Sequence, residues 1–354
     1  MRSYQEIFPR EGAYIDPIAH IIKKTLLHPV FTLSVLGYLK LSISNWPSLQ
    51  SLALYGAIFS VALWLNELLS RNSANNWCTD STYDWKKEIV LVTGGSSGIG
   101  ASVVKRLVED GVRVVVLDVA PMPSDMESKF LTYYRCDLSD ECEIRNICIR
   151  VREEVGHPTV LINNAGLSRG KNVAETTYND ISITIRTNLL APFLLTREFI
   201  PNMIQRNHGH IVNIASMSAY LPPAGLADYG ATKAGLIAFH ESLGLELKLK
   251  HAAPKVRTSL AVLSFTKTPL FKGETNQSSF LFPLIHVDTV GDAIVDTLYS
   301  GYSRTIFLPG IFRFFAGIRG APEWFQDMIR QGSKSLKVDF KGRQEIDSKT
   351  GKLI

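Results

Sequence analysis

Two apolar segments separated by a short break dominate the first part of the chain. Residues 41–66 carry no charged side chain, and their most apolar part is LALYGAIFSVALWLNELL at residues 52–69. At a rise of about 1.5 Å per residue, that part crosses most of a hydrocarbon core about 30 Å thick. A weaker apolar run lies at residues 25–39 and is closed by Lys40, and SNWP at residues 44–47 reads as a break. No polar face patterns either run, which favours membrane attachment over a pair of core helices.

These segments fit two membrane architectures. One is a single span at roughly residues 50–69, and the other is a two-helix hairpin, about residues 25–44 and 49–70. Basic residues flank both runs, namely Lys23 and Lys24 before the first and Arg71, Lys86 and Lys87 after the second. This favours a hairpin with both ends in the cytosol, although Lys40 lies near its tip. We expect residues 1–85 to anchor the protein at the endoplasmic reticulum or a lipid droplet, with the following domain facing the cytosol.

From residue 86 onward, short apolar runs alternate with segments of helical periodicity. The runs typical of buried strands are residues 86–95, 112–118, 130–138, 159–166, 210–216, 256–265 and 304–309. The helical segments are residues 140–155, 187–206, 228–250 and 287–300. This alternation predicts an α/β fold with a doubly wound, Rossmann-type parallel sheet of about seven strands over residues 86–310. Ligands of such sheets bind at the carboxyl ends of the strands.

Composition narrows the classes of function. The 354 residues are 45% apolar and 20% charged, with a net charge of +5, which is typical of a globular domain with an additional apolar segment. No long Lys/Arg block is present, so we expect no nucleic-acid partner. The four cysteines form no Cys-x-x-Cys pair and have no histidine at zinc-like spacing. We therefore expect no metal site, and a reducing compartment.

A glycine-rich turn follows the first predicted strand. KKEIVLVTGG at residues 86–95 leads into TGGSSGIG at residues 93–100, and SVVKRLVEDG at residues 102–111 has helical periodicity. Glycines let the backbone approach a pyrophosphate, and a helix N-terminus offers free N–H groups and positive potential. Strand, turn and helix in this order predict a dinucleotide-binding site.

Asp118 ends the second predicted strand, about 20 residues past this turn. A carboxylate there can accept hydrogen bonds from both ribose hydroxyls of an adenosine, and it would repel the 2′-phosphate of NADP. No Arg or Lys stands in the turn or just after Asp118 to compensate. The sequence therefore favours NAD over NADP, without excluding NADP.

Tyr229 and Lys233 stand four residues apart in ADYGATKAG. Any helix brings residues at this spacing onto one face, so the spacing alone identifies no catalytic pair. The wider context indicates a catalytic pair, because the chain from about residue 86 to 310 resembles the short-chain dehydrogenase/reductase family. The family's motifs occur in order as TGGSSGIG (93–100), CDL (136–138), NNAG (163–166), TN (187–188), Ser216 and YGATK (229–233). Ser216 precedes the tyrosine by 13 positions, which is the family's usual interval.

The resemblance implies an oxidoreductase with a catalytic tetrad of Asn188, Ser216, Tyr229 and Lys233. Tyr229 would be the acid/base, which at neutral pH requires its pKa to fall by up to about three units from 10. The Lys233 ammonium and an oxidised nicotinamide would supply that depression. Ser216 would hold the substrate oxygen against the tyrosine, and Asn188 would support a water chain to Lys233.

The resemblance and the glycine-rich turn together give a cofactor-binding set. Within it, Asp137 would bind the adenine amino group and Asn164 would line the cofactor. The full set is Thr93, Gly94, Ser96, Ser97, Gly98, Ile99, Gly100, Asp118, Asp137, Leu138, Asn164, Ala165, Gly166, Tyr229, Lys233 and Thr268. One departure stands beside it: where the family usually has Pro-Gly before this threonine, the chain has Leu263 and Ser264. The loop that seats the nicotinamide is therefore expected to follow a different path.

An aromatic segment follows the last predicted strand. This segment is FLPGIFRFFAGIRGAPEWFQDMI, residues 307–329. It could pack in the core, or it could lie as an amphipathic segment on the membrane beside the mouth of the active site. The N-terminal anchor favours the second interpretation. Residues 311–354 would form this hydrophobic flap and a polar tail. The combination resembles the membrane-anchored retinol- and hydroxysteroid-dehydrogenase branch. That implies a lipophilic alcohol, ketone or aldehyde, retinoid-, steroid- or polyketide-like, arriving from the bilayer.

The family also implies a homodimer or higher homo-oligomer, with the helices at residues 187–206 and 228–250 paired across the interface. Two alternative functions remain. A non-catalytic, nucleotide-sensing membrane adaptor is supported only by Leu263 and Ser264 and is opposed by the intact tetrad. An NADPH-dependent biosynthetic ketoreductase is the other alternative.

Overall fold

A parallel sheet of seven strands forms the centre of the molecule. The computed structural model describes residues 9–42, 46–274, 278–332 and 337–339, and the strand order β3-β2-β1-β4-β5-β6-β8 confirms the doubly wound fold. The strands are β1 (Ile89–Thr93), β2 (Arg113–Asp118), β3 (Leu131–Arg135), β4 (Val160–Asn163), β5 (Gly209–Ser216), β6 (Val256–Leu263) and β8 (Thr305–Leu308). A second, antiparallel pair, β7 (Lys272–Glu274) with β9 (Lys337–Asp339), was not predicted.

Helices surround the sheet and precede it. Three precede the sheet: α1 (Ile15–Lys24), α2 (Pro29–Ser42) and α3 (Pro47–Ala74). The others are α4 (Gly98–Glu109), α5 (Glu141–Glu154), α6 (Tyr178–Ile185), α7 (Ala191–Arg206), α8 (Ala227–Leu249), α9 (Val287–Tyr299) and α10 (Glu323–Gln331). Short 3₁₀ helices lie at Ser124–Met126, Met217–Ala219 and Gly310–Gly320.

The central strands are mostly apolar because helices cover both faces of the sheet. All five residues of β1 are buried. Leu91 faces one layer and packs in a cluster with Ile144 of α5 and Phe199 of α7. Its neighbour Val90 faces the opposite layer, with Val103 of α4 and Val290 of α9. The two layers hold the sheet rigid, so its carboxyl edge is a fixed platform for polar side chains.

The helix predicted at residues 187–206 has a different start in the structure. Thr177 and Asp180 form a capping box that begins α6. A π-helical turn at Arg186–Leu190 then joins α6 to α7. The sequence signal for the earlier start, a threonine with an acid three residues later, lies in a polar stretch and was missed. The π turn interrupts regular helix packing at Asn188, as π turns at functional sites commonly do.

The two apolar runs form helices that pack on each other. The Thr32 and Ser60 hydroxyls lie 2.6 Å apart, and Gln50 Nε2 donates to the Leu39 carbonyl. Away from this contact α3 is exposed, with Leu52 68% exposed. Of the described helices, α3 alone is long and apolar enough to cross a membrane, since α2 has 14 residues and spans about 21 Å. Residues 44 and 45 of the predicted break lie outside the described residues.

Both flanks of this helix pair are bound to the domain that carries the sheet. On the N-terminal side, Arg10 pairs with Asp292 of α9 at 2.8 Å. On the other side, Asn75 follows α3 and its Oδ1 accepts from the Ser303 amide at 2.7 Å. The buried Arg257 of β6 donates to the carbonyls of Asn75 and Cys78. The chain therefore enters and leaves the helix pair on the same body.

The aromatic segment after β8 is buried on one side and exposed on the other. Phe312 and Ile318 of the 3₁₀ helix Gly310–Gly320 are buried. Phe314 of the same helix is 82% exposed, and Trp324 of α10 is 71% exposed. The segment thus packs one face on the domain and presents large apolar side chains on the other. Of the predicted polar tail, residues 333–336 and 340–354 lie outside the described residues.

Candidate active site

The glycine-rich turn joins β1 to α4 in a conformation that requires glycine. Gly94 and Gly98 have φ of +65° and +55°, in the left-handed region. A Cβ placed on Gly100 would lie 2.1 Å from the Gly94 carbonyl oxygen, so any side chain there would force the turn open. The turn ends at the N-terminus of α4, where backbone N–H groups and the helix dipole favour an anion.

Thr93 at the end of β1 and Asn164 directly after the neighbouring β4 brace this turn. The Thr93 hydroxyl accepts from the Asn164 and Ala165 amides, both at 3.0 Å. The Asn164 side chain donates to the carbonyls of Thr93 and Gly94 at 2.9 and 3.1 Å. Asn164 was predicted to line the cofactor, and it also determines the shape of the turn that would hold the pyrophosphate.

Asp118 lies beside the turn at the end of β2. Its Oδ2 accepts from the Ser96 amide at 2.9 Å and its Oδ1 from the Ala120 amide at 3.0 Å. These two backbone N–H groups hold the carboxylate in one orientation. Ser96 also donates its hydroxyl to the Ala120 carbonyl. The group is therefore a fixed negative charge on the wall of the nucleotide site.

Asp137 offers a buried and unused acceptor near the end of β3. Its Oδ1 accepts from the amide and the hydroxyl of Ser139, both at 2.8 Å. Within the described residues, Oδ2 is buried and has no hydrogen-bond partner. A buried carboxylate oxygen without a donor is costly, and an exocyclic amino group of an adenine would satisfy it. The residues present at this edge of the sheet therefore fit a dinucleotide.

Ser216 and Tyr229 meet at the carboxyl end of β5. Ser216 is the last residue of that strand, and Tyr229 lies in the first turn of α8. A hydrogen bond with Ser216 lowers the pKa of Tyr229, but burial outweighs it and raises that pKa to about 12. The Ser216 oxygen also accepts from the Ser218 amide at 3.2 Å. The depressed pKa expected for Tyr229 is thus not a property of the protein alone.

Lys233 lies one turn further along α8, with Nζ 5.6 Å from the centre of the Tyr229 ring. It donates to the Ile214 carbonyl at 2.8 Å, and burial lowers its pKa to about 8. A Cβ placed on Gly166 would lie 3.4 Å from this Nζ and 3.5 Å from Asn188 Oδ1. Lys233 and Asn188 therefore meet around Gly166, where a side chain would crowd both.

Asn188 holds the loop after β4. Its Oδ1 accepts from the Leu167 amide, and its Nδ2 donates to the Leu167 carbonyl, both at 2.8 Å. Nδ2 also contacts the Thr232 hydroxyl at 3.3 Å. In the protein the Asn188 side chain positions Gly166 and Leu167 beside the lysine. The water chain to Lys233 stays a prediction.

The loop after β6 reaches the turn without the Pro-Gly pair. Thr266 bridges to Ile285, and the Lys267 amide donates to the Ile285 carbonyl at 2.8 Å. This pairing carries Thr268 to the glycine turn, where its Cγ2 would lie 3.3 Å from a Cβ on Gly98. Thr268 is therefore next to the nucleotide turn.

One cavity of about 1080 Å³ joins these groups. The predicted residues that line it are Gly94, Ser97, Gly98, Ile99, Asp118, Leu138, Asn164, Ala165, Gly166, Ser216, Tyr229, Lys233 and Thr268. Five predicted residues are not among those that line it in the described part of the chain, namely Thr93, Ser96, Gly100, Asp137 and Asn188. The structure thus brings the two ends of the predicted site, nucleotide turn and tyrosine, into one continuous space.

The far wall of the cavity is apolar and was not assigned from the sequence. It includes Met217, Leu221, Phe282, Phe312 and Phe315. Phe312 and Phe315 come from the aromatic segment that was predicted to lie near the mouth. The aromatic run at residues 280–282 was the available signal for Phe282, but its spacing resembles ordinary core packing. Only the fold shows that these rings line the same cavity as the tyrosine.

The Rossmann-type sheet with this cavity defines a nicotinamide-dependent oxidoreductase. The family model described as short chain dehydrogenase matches residues 88–279, which is more than half of the chain. The chain therefore belongs to the short-chain dehydrogenase family.

Comparisons with individual proteins agree. The chain is 40% identical over 197 residues to "Dehydrogenase RED2" of Cochliobolus heterostrophus, covering 55% of this chain and 74% of that protein. It is 30% identical over 219 residues to "Epidermal retinol dehydrogenase 2" of Mus musculus, covering 60% and 71%. A short-chain dehydrogenase from Sphingobium yanoikuyae in complex with NADPH superposes with a TM-score of 0.54 at 25% identity, covering 73% and 99%. The predicted likeness to the retinol-dehydrogenase branch is confirmed, and so is a nicotinamide cofactor.

Proposed function

We propose that the protein interconverts a lipophilic alcohol with its ketone or aldehyde, using Tyr229 as the acid/base. The observation that carries this is the single cavity in which Ser216, Tyr229 and Lys233 face a wall of phenylalanine and leucine side chains. An apolar wall of this kind stabilises a hydrocarbon skeleton by removing it from water. A retinoid-, steroid- or polyketide-like skeleton is the class supported by the wall and by the retinol-dehydrogenase relative.

The proton chemistry follows from three side chains. Ser216 hydrogen-bonds the substrate oxygen and holds it against Tyr229, which takes the hydroxyl proton during oxidation and returns it during reduction. The Lys233 ammonium stabilises the tyrosinate electrostatically. A bound nicotinamide dinucleotide supplies the hydride acceptor or donor, and its oxidised ring adds a positive charge to the site. Asn164 and Asn188 keep the turn and the loop around Gly166 in place for it.

We propose NAD as the preferred cofactor, because the Asp118 carboxylate is fixed on the wall where a 2′-phosphate would lie. The test is turnover by the purified full chain with NAD(H) and NADP(H), against retinoids, steroids and long-chain alcohols. We expect NAD to be favoured by about tenfold or more in kcat/KM, since a repelled phosphate costs at least one hydrogen bond and a charge contact. Asp118→Ser should reduce or reverse that ratio.

The outcomes of this test separate the alternatives. Comparable efficiency with NADPH in the wild-type chain would contradict the argument from Asp118 and support a biosynthetic ketoreductase. Cofactor binding without turnover of any substrate would support the nucleotide-sensing adaptor. Ser97→Ala is a matched control, because Ser97 lines the same cavity but carries no charge. That variant should keep the wild-type cofactor ratio.

We propose that α2 and α3 form a membrane hairpin at the endoplasmic reticulum or a lipid droplet, with the catalytic domain in the cytosol. Two observations support the hairpin over a single span. The helices pack on each other through Thr32 and Ser60, and residues on both sides of them bind the catalytic domain. A single span would put Arg10 and Asp292 on opposite sides of the membrane and break their ion pair.

A tag inserted before Arg10 tests this topology. In sealed microsomes or on droplets, protease added outside should remove the tag together with the catalytic domain, because both face the same side. Detergent-solubilised protein gives the full-cleavage reference. A tag that stays protected while the catalytic domain is cleaved would support the single span instead.

We also propose a homodimer that pairs α7 and α8 with their symmetry mates, as the family resemblance implies. Phe193 of α7 and Leu245 and Leu249 of α8 are exposed, and a partner helix would cover them. Sedimentation of the detergent-solubilised chain should give the mass of two protomers. The mass of a single protomer would contradict the homodimer.

A further inference from the structure

The substrate wall contains a short element tied at both ends to other parts of the protein. This element is the 3₁₀ helix Gly310–Gly320. From here on the word flap means this helix alone, not the longer hydrophobic flap predicted from the sequence. Its Phe312 and Phe315 line the cavity, and both rings contact Phe282, with centroid distances of 5.1 and 6.0 Å. The positions of the flap's two rings therefore determine how much apolar space faces Tyr229.

The start of the flap is held by the N-terminal strap, defined as residues 9–16. The Gly310 amide donates to Asp16 Oδ2 at 2.7 Å. The contact is close, since a Cβ on Gly310 would lie 3.3 Å from Asp16 Oδ1. Burial raises the pKa of Asp16, while the Gly310 and Ile311 amides lower it. No cation pairs with Asp16 among the described residues, so backbone N–H groups at the start of the flap are what hold this carboxylate.

A second contact joins the strap to the aromatic run beside the flap. The Ile15 amide donates to the Phe280 carbonyl at 3.0 Å, two residues before the cavity-lining Phe282. The strap thus touches both segments whose phenylalanines meet over the cavity.

The end of the flap is held by the segment Met217–Ala219, directly after Ser216. The Arg319 guanidinium donates to the Ala219 carbonyl. Ala219 ends the 3₁₀ helix Met217–Ala219, which directly follows Ser216, and the Ser218 amide donates to Ser216 Oγ. The flap therefore spans from the strap at one end to the loop of the catalytic serine at the other.

The strap is continuous with the proposed membrane hairpin. Asp16 is the second residue of α1, a helix of 10 residues and about 15 Å. At the other end of α1, Lys23 pairs with Glu67 of α3 at 2.7 Å. A rigid helix thus connects the base of the hairpin to the carboxylate that holds the flap.

We infer that Asp16 is a positioning residue of the substrate site, which ties the flap to the membrane anchor and so determines the cavity's fit for long apolar substrates. The inference rests on the proposed function for its substrate class. For substrates too short to reach Phe312 and Phe315, replacing Asp16 should leave kcat and KM unchanged. Cofactor and proton chemistry should be indifferent too, because the strap contacts no residue of the tetrad among those described.

The test compares Asp16→Ala and Asp16→Asn with the matched control Glu11→Ala, in the full chain in detergent. Glu11 is also a strap carboxylate that accepts from a backbone amide, His286 N at 2.9 Å, but this amide lies outside the flap. Two readouts are used: hydrogen exchange of the flap amides, and kcat and KM for decan-2-ol and propan-2-ol with NAD.

We expect Asp16→Ala to speed exchange of the Gly310 and Ile311 amides and raise KM for decan-2-ol, each by about tenfold, the effect of one lost charged hydrogen bond. Its kcat, and both constants for propan-2-ol, should stay near wild type. Asp16→Asn retains an acceptor and should restore most of the KM. Glu11→Ala should leave flap exchange and the decan-2-ol KM unchanged.

Flap exchange at the wild-type rate in Asp16→Ala would overturn the inference. So would a KM for decan-2-ol that rises equally in Glu11→Ala, because the strap would then act only through general stability. If the wild-type chain oxidises neither alcohol, the proposed function fails for these substrates, and the exchange measurement alone decides whether Asp16 holds the flap.

Discussion

Replacing Tyr229 with Phe should lower kcat/KM by about 10³-fold, the usual range for removing a general acid/base. The phenyl ring keeps the volume of the side chain, so the cavity and the Ser216 loop should retain their shape. What is lost is the hydroxyl that exchanges a proton with the substrate oxygen. The measurement is steady-state oxidation of the best alcohol from the substrate panel, together with a fluorescence titration of NADH. Cofactor affinity should change by no more than about threefold, because the tyrosine is only part of the cofactor wall.

Tyr220→Phe is the matched control for this substitution. Tyr220 lies nine residues upstream, packs beside the same apolar cluster as Met217 and Phe312, and also has a pKa raised by burial. It lies outside the tetrad, and its variant should keep turnover near wild type. Unchanged turnover in Tyr229→Phe would refute the mechanism. A matched loss in both variants would point to a packing defect instead.

The fold could be predicted because its signals are local. The central strands are short runs of buried, mostly apolar residues that end in a turn, as IVLVT does before Gly94. In a parallel sheet covered on both faces, nearly every strand position must be apolar, so the pattern is strong. The start of α6 was missed because a capping box such as Thr177–Asp180 is a weak signal in a polar stretch. The β7–β9 pair was missed because strands of three residues carry almost no pattern.

The polar half of the site was predictable for a related reason. Asp118 and Ser216 end their strands and the turn at Gly94 directly follows one. Parallel strands align their carboxyl ends at one edge of the sheet. Residues at the ends of different strands therefore lie close together in the folded protein. The apolar half follows no such rule, since Phe282 comes from a loop and Phe312 from the 3₁₀ helix after β8. Their meeting depends on tertiary contacts such as that of Asp16 with Gly310, which span almost the whole chain.

The electrostatics of the tyrosine also required the structure. Spacing predicted that Lys233 would stand near Tyr229, and it does, with Nζ 5.6 Å from the ring centre. Spacing could not show that burial acts on both groups at once. Burial raises the pKa of Tyr229 to about 12 and lowers that of Lys233 to about 8. Burial therefore shifts both groups toward their neutral forms, although Lys233 stays protonated below about pH 8. Ionising Tyr229 near neutral pH would thus require further positive charge, such as that of an oxidised nicotinamide.

Replacing Lys233 with Met should lower kcat by about 10²-fold and move the rise of the oxidation rate to higher pH. A unit positive charge about 5 Å from a phenolate is worth about 3 kcal/mol at an effective dielectric constant of about 20. That corresponds to about two units in the pKa of the tyrosine. Because oxidation requires the deprotonated phenol, the rate should climb with pH in both proteins, later in the variant. The measurement is kcat for alcohol oxidation between pH 6 and 10, and Lys233→Arg, which keeps a charge, should recover part of the shift.

Stability separates this catalytic role from a structural one. The pKa of Lys233 is lowered from 10.5 to about 8 in the folded protein. Between these values the unfolded chain binds a proton that the folded chain has released, so stability from this group increases as pH rises from about 8 to 10.5. Below pH 8 the buried ammonium destabilises the fold, and removing it should leave the melting temperature at pH 7 at least as high as in wild type. A melting temperature that falls in Lys233→Met, with an unshifted pH profile, would mean that the lysine supports α8 and not the tyrosinate.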